Sequence, residues 1–313
     1  MKRVPLGKSG MNVSALCLGA MYFGSRTDQE TSWQLLDQYV EAGGTFIDTA
    51  NIYARWIPEC SGGESETLLG EWMRERKNRD QLCIASKVGF EYPGVERGLP
   101  AGRIEEECDK SLKRLGIDTI DLYYAHVDDR RTPQEETLEA FDKLVKAGKV
   151  RRIGASNFLA WRLEEARWIS RTREWAEYCC IQQRYTYLRP RPGTGFDPQV
   201  AANDDLVDYC RARGMTMLAY SPLLSGAYSR ADREFQPQYA GTDTENRLAA
   251  LKTVAEEVGA TVNQVVLAWM LHSDPPVIPL IAASTSAQMQ ENLDVLNVTL
   301  SAEQMERLHA AGA

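Results

Sequence analysis

Spacings that would hold a metal or run a redox cycle are missing from this chain. Its seven cysteines are odd in number and contain no CxxC pair, and Cys17, Cys83, Cys108, Cys179 and Cys210 sit inside apolar stretches, so they read as small core residues of a protein kept in a reducing compartment. No metal site is expected. Long apolar runs are missing too: none approaches the ~18 residues of a membrane span, and Met1–Gly7 lacks the apolar core of a signal peptide. The expectation is a cytoplasmic protein with no membrane partner. Net positive charge is also absent. Lys and Arg number 36 against 44 Asp and Glu, a net charge of −8, and every basic cluster is interleaved with acids, which excludes a nucleic-acid partner. Gly7-Lys8-Ser9 imitates the end of a phosphate-binding loop, but the glycine needed five positions earlier is Lys2. With 13 Pro and 23 Gly in 313 residues there is no disordered or low-complexity bias.

What is present is a repeated alternation of short apolar strand and amphipathic helix. Strands are expected near 13–19, 45–48, 82–87, 120–126, 150–155, 179–183, 214–220 and 277–281, each after the first preceded by a helical pattern. Eight such units close a (β/α)8 TIM barrel, and a barrel of this kind accommodates residues 1–313 as one domain. Residues 2–10 read as an N-terminal hairpin that plugs the barrel, with Gly7–Gly10 as its turn. Thr27 with Glu30, and Thr132 with Gln134-Glu135 behind Pro133, look like helix starts. Thr261 with Gln264 and Ser301 with Gln304 cap two extra helices, expected on the surface outside the eightfold count. Three connections, 54–63, 186–200 and 223–243, exceed the usual two to six residues, and long loops of this kind set substrate preference.

The strands share a further property, since each hands a polar group to the same rim. Thr45–Asp48 runs straight to Asp48 and Tyr53; Leu82–Ser86 delivers Lys87; Ile120–Ala125 delivers His126; Val150–Ala155 delivers Ser156 and Asn157; Cys179–Ile181 delivers Gln182; Met215–Ala219 delivers Tyr220. Catalytic groups of a parallel barrel come from the C-terminal ends of several strands. Asp48, Tyr53, Lys87 and His126 come from three adjacent strands, so they converge on one carbonyl-sized space. Protonating a carbonyl oxygen needs an acid, and a phenol with its usual pKa of about 10 is weak. A neighbouring ammonium is expected to lower it, with Asp48 fixing the lysine and His126 orienting the carbonyl. Each residue alone has a plainer reading: a strand-end Asp caps a helix, a Tyr or His packs. A lysine ending an apolar strand is harder to explain away, because a buried ammonium needs a partner. His272 and His309 are read as structural.

These residues carry a family resemblance across nearly the whole chain. Asp48-Thr49-Ala50 with Tyr53, Gly63-Glu64-Ser65-Glu66 with Leu69-Gly70, Ser86-Lys87-Val88, Ser111–Gly116, Asp121-Leu122-Tyr123, Gly148–Arg151 and Gly154-Ala155-Ser156-Asn157 resemble the motifs of the aldo-keto reductases, in that family's order, on the bacterial branch similar to potassium-channel β subunits. The resemblance implies a catalytic tetrad of Asp48, Tyr53, Lys87 and His126, and an NADP(H) cofactor, with NAD as the lesser choice. It implies that Ser156, Asn157 and Gln182 hold the nicotinamide carboxamide and that Tyr220 stacks on the ring. Ala20 and Met21 then lie against the cofactor, Ser221, Pro222, Leu223, Ser225 and Gly226 cover the pyrophosphate, and Ser284, Thr285, Gln288, Glu291 and Asn292 receive the adenosine end at a helix N-terminus. Tyr22, Trp56 and Phe90 bound the substrate.

The sequence also departs from the pattern. Ser284 and Gln288 stand where many members carry Lys or Arg, Ala282 replaces a usual glycine, Asn51 an acid and Thr186 an asparagine, and no long C-terminal tail covers the pocket. The resulting expectation is a reductase of small aldehydes or ketones. The alternative is a cofactor-binding, redox-sensing partner protein like the channel subunits.

Overall fold

The structure, a computed structural model, describes residues 1–312. Two short strands, β1 (Arg3–Pro5) and β2 (Asn12–Ser14), pair antiparallel. Eight more, β3 (Cys17–Gly19), β4 (Phe46–Asp48), β5 (Cys83–Val88), β6 (Ile120–Ala125), β7 (Val150–Ser156), β8 (Tyr178–Arg184), β9 (Thr216–Tyr220) and β10 (Val277–Ile281), close a parallel barrel in chain order, β10 returning to β3. This is the expected (β/α)8 architecture. From β4 onward the strand ends lie within two residues of those expected, and two assignments at the N-terminus differ. The hairpin's second strand is Asn12–Ser14 and not part of 2–10, and the run expected as one strand over 13–19 is divided, its first part serving the hairpin and only Cys17–Gly19 the barrel. The division lies at the buried Ser14, whose hydroxyl accepts the backbone N–H groups of Thr45 and Phe46, both at 3.1 Å.

The hairpin closes the barrel floor. Leu6 and Val13 are fully buried among Cys17, Phe46, Leu122, Tyr124 and Leu218, which is the ordinary reason an apolar pair is found in a turn-rich N-terminus. Gly7 has φ +53, and a Cβ there would lie 2.1 Å from the carbonyl oxygen of Cys179. Its N–H donates to Thr216 Oγ1 at 2.7 Å. The phosphate-loop imitation is thus a floor contact. All seven cysteines are free.

Among the described residues ten α-helices surround the barrel: α1 (Gln29–Glu41), α2 (Glu64–Arg76), α3 (Ala101–Leu115), α4 (Gln134–Lys146), α5 (Ala160–Arg173), α6 (Asp204–Arg213), α7 (Thr242–Val258), α8 (Val262–His272), α9 (Ser286–Asp294) and α10 (Ala302–Ala310). The capping boxes at Thr261 and Ser301 are formed. At α1 the cap is Asp28 rather than Thr27, its carboxylate accepting the Thr31 N–H at 2.8 Å. At α4 Pro133 takes the cap position, and Thr132 turns away to donate to Asp129 Oδ2 at 2.7 Å. The extra helices also need a correction. Residues Asn263–Met270 of α8 are buried, and α8 packs on β10, α7 and α9. A helix apolar on all sides belongs inside, so α8 is a barrel helix, and the additions are α7, which packs on α8 and α10, and α10 itself.

Helices α2 and α3 set the positions of the strand ends beneath the rim. Gly70 lets them approach closely, since a Cβ there would meet the Arg114 carbonyl oxygen at 2.5 Å. Across that contact Glu66 accepts from Arg114 Nε at 2.6 Å and from the Ser86 hydroxyl, tying α2 and α3 to β5 one residue before Lys87. Asn51, which replaces an expected acid, donates to Glu107 Oε2 at 2.7 Å.

Candidate active site at the barrel rim

Strand register carries the rim groups toward one another. Asp48 sits opposite Gly19 on β3 and Ala85 on β5, so Lys87 stands two residues higher and reaches back to it. Lys87 and Asp48 are both fully buried and form an ion pair. The ammonium also donates to the Thr49 carbonyl at 2.8 Å and to the Tyr53 hydroxyl at 2.6 Å. Tyr53 lies 3.4 Å from Asp48 Oδ1, a weak contact, while the other Asp48 oxygen accepts from Gln182 Nε2 at 2.8 Å. His126 completes the group: its ring packs edge-on against Phe90 at 4.7 Å and Tyr53 at 6.2 Å, and its Nδ1 is buried without a partner.

The electrostatics differ from the expectation at one point. Lys87 does not pull the Tyr53 phenol below its usual value. Burial pushes it well above, and Asp48 adds to the rise. The reason is that a lysine paired with a buried carboxylate presents little net charge, so desolvation of the phenolate dominates. Burial likewise holds Lys87 below the ordinary lysine value against the pull of Asp48. His126 is pushed well below the ordinary histidine range by burial and then by Lys87. The resting site therefore contains a protonated phenol and a neutral imidazole, neighbours on the lining of one space.

That space is a cavity of about 530 Å³, lined among others by Asp48, Tyr53, Trp56, Phe90, His126, Ser156, Asn157, Gln182, Tyr220 and Ser221. Met21 lines it as well, but Ala20 does not. Ala20 is fully buried, and its N–H and C=O are taken by the Asp48 carbonyl at 2.9 Å and the Ser65 hydroxyl at 2.7 Å. Tyr22 is also outside the lining and instead supports Trp56 edge-on at 6.5 Å. Sequence reasoning missed Ile52, Arg55, Glu91 and Phe196–Gln199. The last four lie in a loop that its length had singled out, while the Arg55–Glu91 ion pair at 2.8 Å joins two loops with no common sequence signal.

Ser156 and Gln182 are paired in register at the ends of β7 and β8. Asn157 is engaged at every position of its amide. Its Nδ2 donates to the His126 carbonyl at 3.0 Å and Ser156 Oγ at 3.2 Å, and its Oδ1 accepts from Tyr220 at 2.7 Å and the Val200 N–H at 3.1 Å. Beyond Ser221, Pro222 and Leu223 lead into a turn where Leu224, Ser225 and Gly226 all have positive φ. The turn closes on itself, the N–H groups of Leu224 and Gly226 donating to the Ser221 and Leu223 carbonyls at 3.2 and 2.8 Å. At the start of α9, Thr285 accepts the Gln288 N–H at 3.2 Å, and Gln288 Oε1 accepts from the Ser284 N–H and hydroxyl, both at 2.9 Å. Glu291 accepts from Thr261 Oγ1 at 2.8 Å and holds α8 to α9, and Asn292 donates to the Ala282 carbonyl at 3.0 Å. None of these five residues lines the cavity.

A parallel barrel with strand-end polar groups converging on one aromatic-walled cavity is the framework of a barrel enzyme. A sequence profile described as the aldo/keto reductase family matches residues 15–313. The chain is similar to an uncharacterized oxidoreductase, YrpG, of Bacillus subtilis (strain 168), with 31% identity covering 99% of this chain and 95% of the relative. It is similar to the norsolorinic acid reductase stcV of Emericella nidulans, with 33% identity over 95% of this chain and 78% of that one. An aryl-alcohol dehydrogenase [NADP(+)] of Phanerodontia chrysosporium is 29% identical, with 96% and 83% covered. Among solved structures, a thermostable aldo-keto reductase, Tm1743, in complex with the inhibitor epalrestat, superposes with a TM-score of 0.78 at 31% identity, with 98% of each chain covered. The chain belongs to the aldo/keto reductase family. It is an NAD(P)H-dependent oxidoreductase.

Proposed function

We propose that the protein moves a hydride between NADP(H) and the carbonyl carbon of an aromatic aldehyde or ketone, with Tyr53 as general acid. The observation that carries the reading is the Tyr53 hydroxyl, kept protonated by burial and held 2.6 Å from Lys87 at the cavity. When bound, the cofactor supplies the hydride. Tyr53 gives its proton to the developing alkoxide, and Lys87, donating to the same oxygen, stabilises the phenolate that remains. Neutral His126 orients the carbonyl by a hydrogen bond. Asp48 keeps Lys87 in place, and Gln182 keeps Asp48 in place.

The donor set fits a dinucleotide. Ser156 and Gln182 offer a hydroxyl and an amide for a carboxamide, and Asn157, with its amide engaged in the resting protein, positions Ser156 and Tyr220. The Ser221 and Ser225 hydroxyls can donate to a pyrophosphate and the α9 N-terminus can receive a 2′-phosphate, the latter read by neutral side chains. Trp56, Phe90, Phe196 and Tyr220 form an aromatic wall around the cavity, which suits a flat substrate. The relatives named for norsolorinic acid and aryl alcohol agree with that class. Names of reductases and dehydrogenases among the relatives also favour an enzyme over a sensing partner protein.

Tyr53→Phe tests the assignment. A lost general acid lowers the reduction rate by about 10²–10⁴, with NADPH affinity unchanged by fluorescence titration. Turnover within tenfold of the parent removes Tyr53 from the chemistry.

A further inference from the structure

A larger cavity, of about 650 Å³, is lined by the flanks of the same loop whose tip, Phe196–Gln199, walls the substrate space. Five arginines line it against two acids, Asp204 and Asp274. Ion pairs engage only two of these arginines, Arg211 with Asp208 at 3.3 Å and Asp274 at 3.4 Å, and Arg247 with Asp243 at 3.1 Å. Arg184, Arg189 and Arg191 form no ion pair among the described residues, in a chain whose net charge is −8. Arg184 is only 6% exposed, yet its guanidinium meets only neutral oxygens: Gln199 Oε1 at 2.9 Å, Tyr239 at 3.3 Å and Gln236. Arg247 is 2% exposed and its Nη2 is buried without a partner, as is the Nε1 of Trp269. A buried guanidinium lacking an anion is unfavourable unless something negative reaches it. The positive field is felt by His309, which burial and then Arg189 and Arg247 hold below the ordinary histidine value.

The cavity also has a flat side. Tyr185 and Trp269 are stacked at 5.6 Å with 27° between their planes. Unpaired guanidinium forks match a planar carboxylate, and a stacked aromatic pair offers a wall to a planar ring. We propose that this cavity binds a small aromatic carboxylate and that the occupant adjusts the substrate wall through Arg184. The coupling has a visible path: Arg184 lines the cavity while its guanidinium lies 4.2 Å over the Phe196 ring and holds Gln199. An anion beside Arg184 competes with Gln199 for the same protons, and any effect on substrate affinity is returned on the anion.

Benzoate is the probe and benzamide its neutral counterpart. Arg189 and Arg191 are exposed and their side chains make no hydrogen bond among the described residues, so Arg189→Gln with Arg191→Gln leaves the fold and the basal kinetic constants unchanged. Calorimetric titration of the full chain is expected to show benzoate binding that weakens at least tenfold in this double variant, and no binding of benzamide. In steady-state assays with a neutral aromatic aldehyde, benzoate is expected to change KM severalfold to a plateau in the parent and not in the variant. No binding, or equal binding in parent and variant, overturns the site. Competitive inhibition rising without limit puts benzoate in the substrate cavity and overturns it equally, and a KM that ignores bound benzoate overturns the coupling. Calorimetry does not require turnover, so failure of the reductase reading would be seen separately.

Discussion

Replacing Lys87 by methionine separates the two jobs the structure gives this side chain. Lys87 is fully buried, and its ammonium is shared between Asp48, the Thr49 carbonyl at 2.8 Å and Tyr53 at 2.6 Å. Methionine fills the space but leaves the Asp48 carboxylate buried, with Gln182 at 2.8 Å as its one good donor. Breaking a buried pair by removing one partner costs about 3–5 kcal/mol, chiefly from the charge left behind. At ~2 °C of melting temperature per kcal/mol for a chain of this size, the midpoint should fall by about 6–10 °C. Adding Asp48→Asn removes that stranded charge, so the double variant should recover much of the stability. It should not recover activity, because the phenolate formed at Tyr53 has lost its cation, and reduction should stay slower by at least about 10². Thermal and urea unfolding followed by circular dichroism, with single-turnover oxidation of NADPH on the same preparations, measure stability and activity. A Lys87→Met protein within about 1 kcal/mol of the parent would refute the buried-charge argument. A double variant that regained turnover along with stability would make Lys87 a structural residue only.

Three further outcomes are expected. His126 is held neutral in the fold while the unfolded chain takes a proton near pH 6.5, so the unfolded state binds more protons below that value and stability should fall on acidification, by up to about 1.4 kcal/mol per pH unit from this group. His126→Gln should flatten the slope of unfolding free energy between pH 6.5 and 5 by that amount, and an unchanged slope would contradict the burial argument. Trp56 is 43% exposed at the cavity mouth, so Trp56→Ala should reorder the kcat/KM values of aromatic and aliphatic aldehydes while the NADPH dissociation constant holds; a moved dissociation constant with an unmoved ranking would transfer Trp56 to the cofactor. Gln288→Arg should tighten NADPH about tenfold relative to NADH, since a guanidinium–phosphate pair exceeds the neutral hydrogen bonds now available, and equal effects on both cofactors would show that α9 does not read the phosphate.

Much of this protein was legible before any coordinates. Eight short apolar strands alternating with helical patterns can bury their faces in few ways, and a parallel barrel is the one that eight units close. The rim groups were legible for a related reason: a polar residue ending an apolar strand is conspicuous, and Lys87 most of all, because an ammonium there needs a partner. Local signals were less dependable where two candidates competed over one turn. Asp28 displaced Thr27 as the α1 cap, and Pro133 took the α4 cap position expected for Thr132. Helix α8 was misjudged because its capping box is visible in sequence while its burial depends on β10, α7 and α9 arriving from elsewhere in the chain. The same limit applies to the electrostatics. Sequence paired Lys87 with Tyr53 and implied a lowered phenol, but the direction of the shift is decided by how completely the site excludes water and by Asp48 neutralising the lysine. The ion pair of Arg55 with Glu91 and the arginine-lined cavity behind Phe196 lie outside the reach of sequence for one physical reason. Their residues share no period and no strand, and only closure of the barrel brings the loops that carry them into one field.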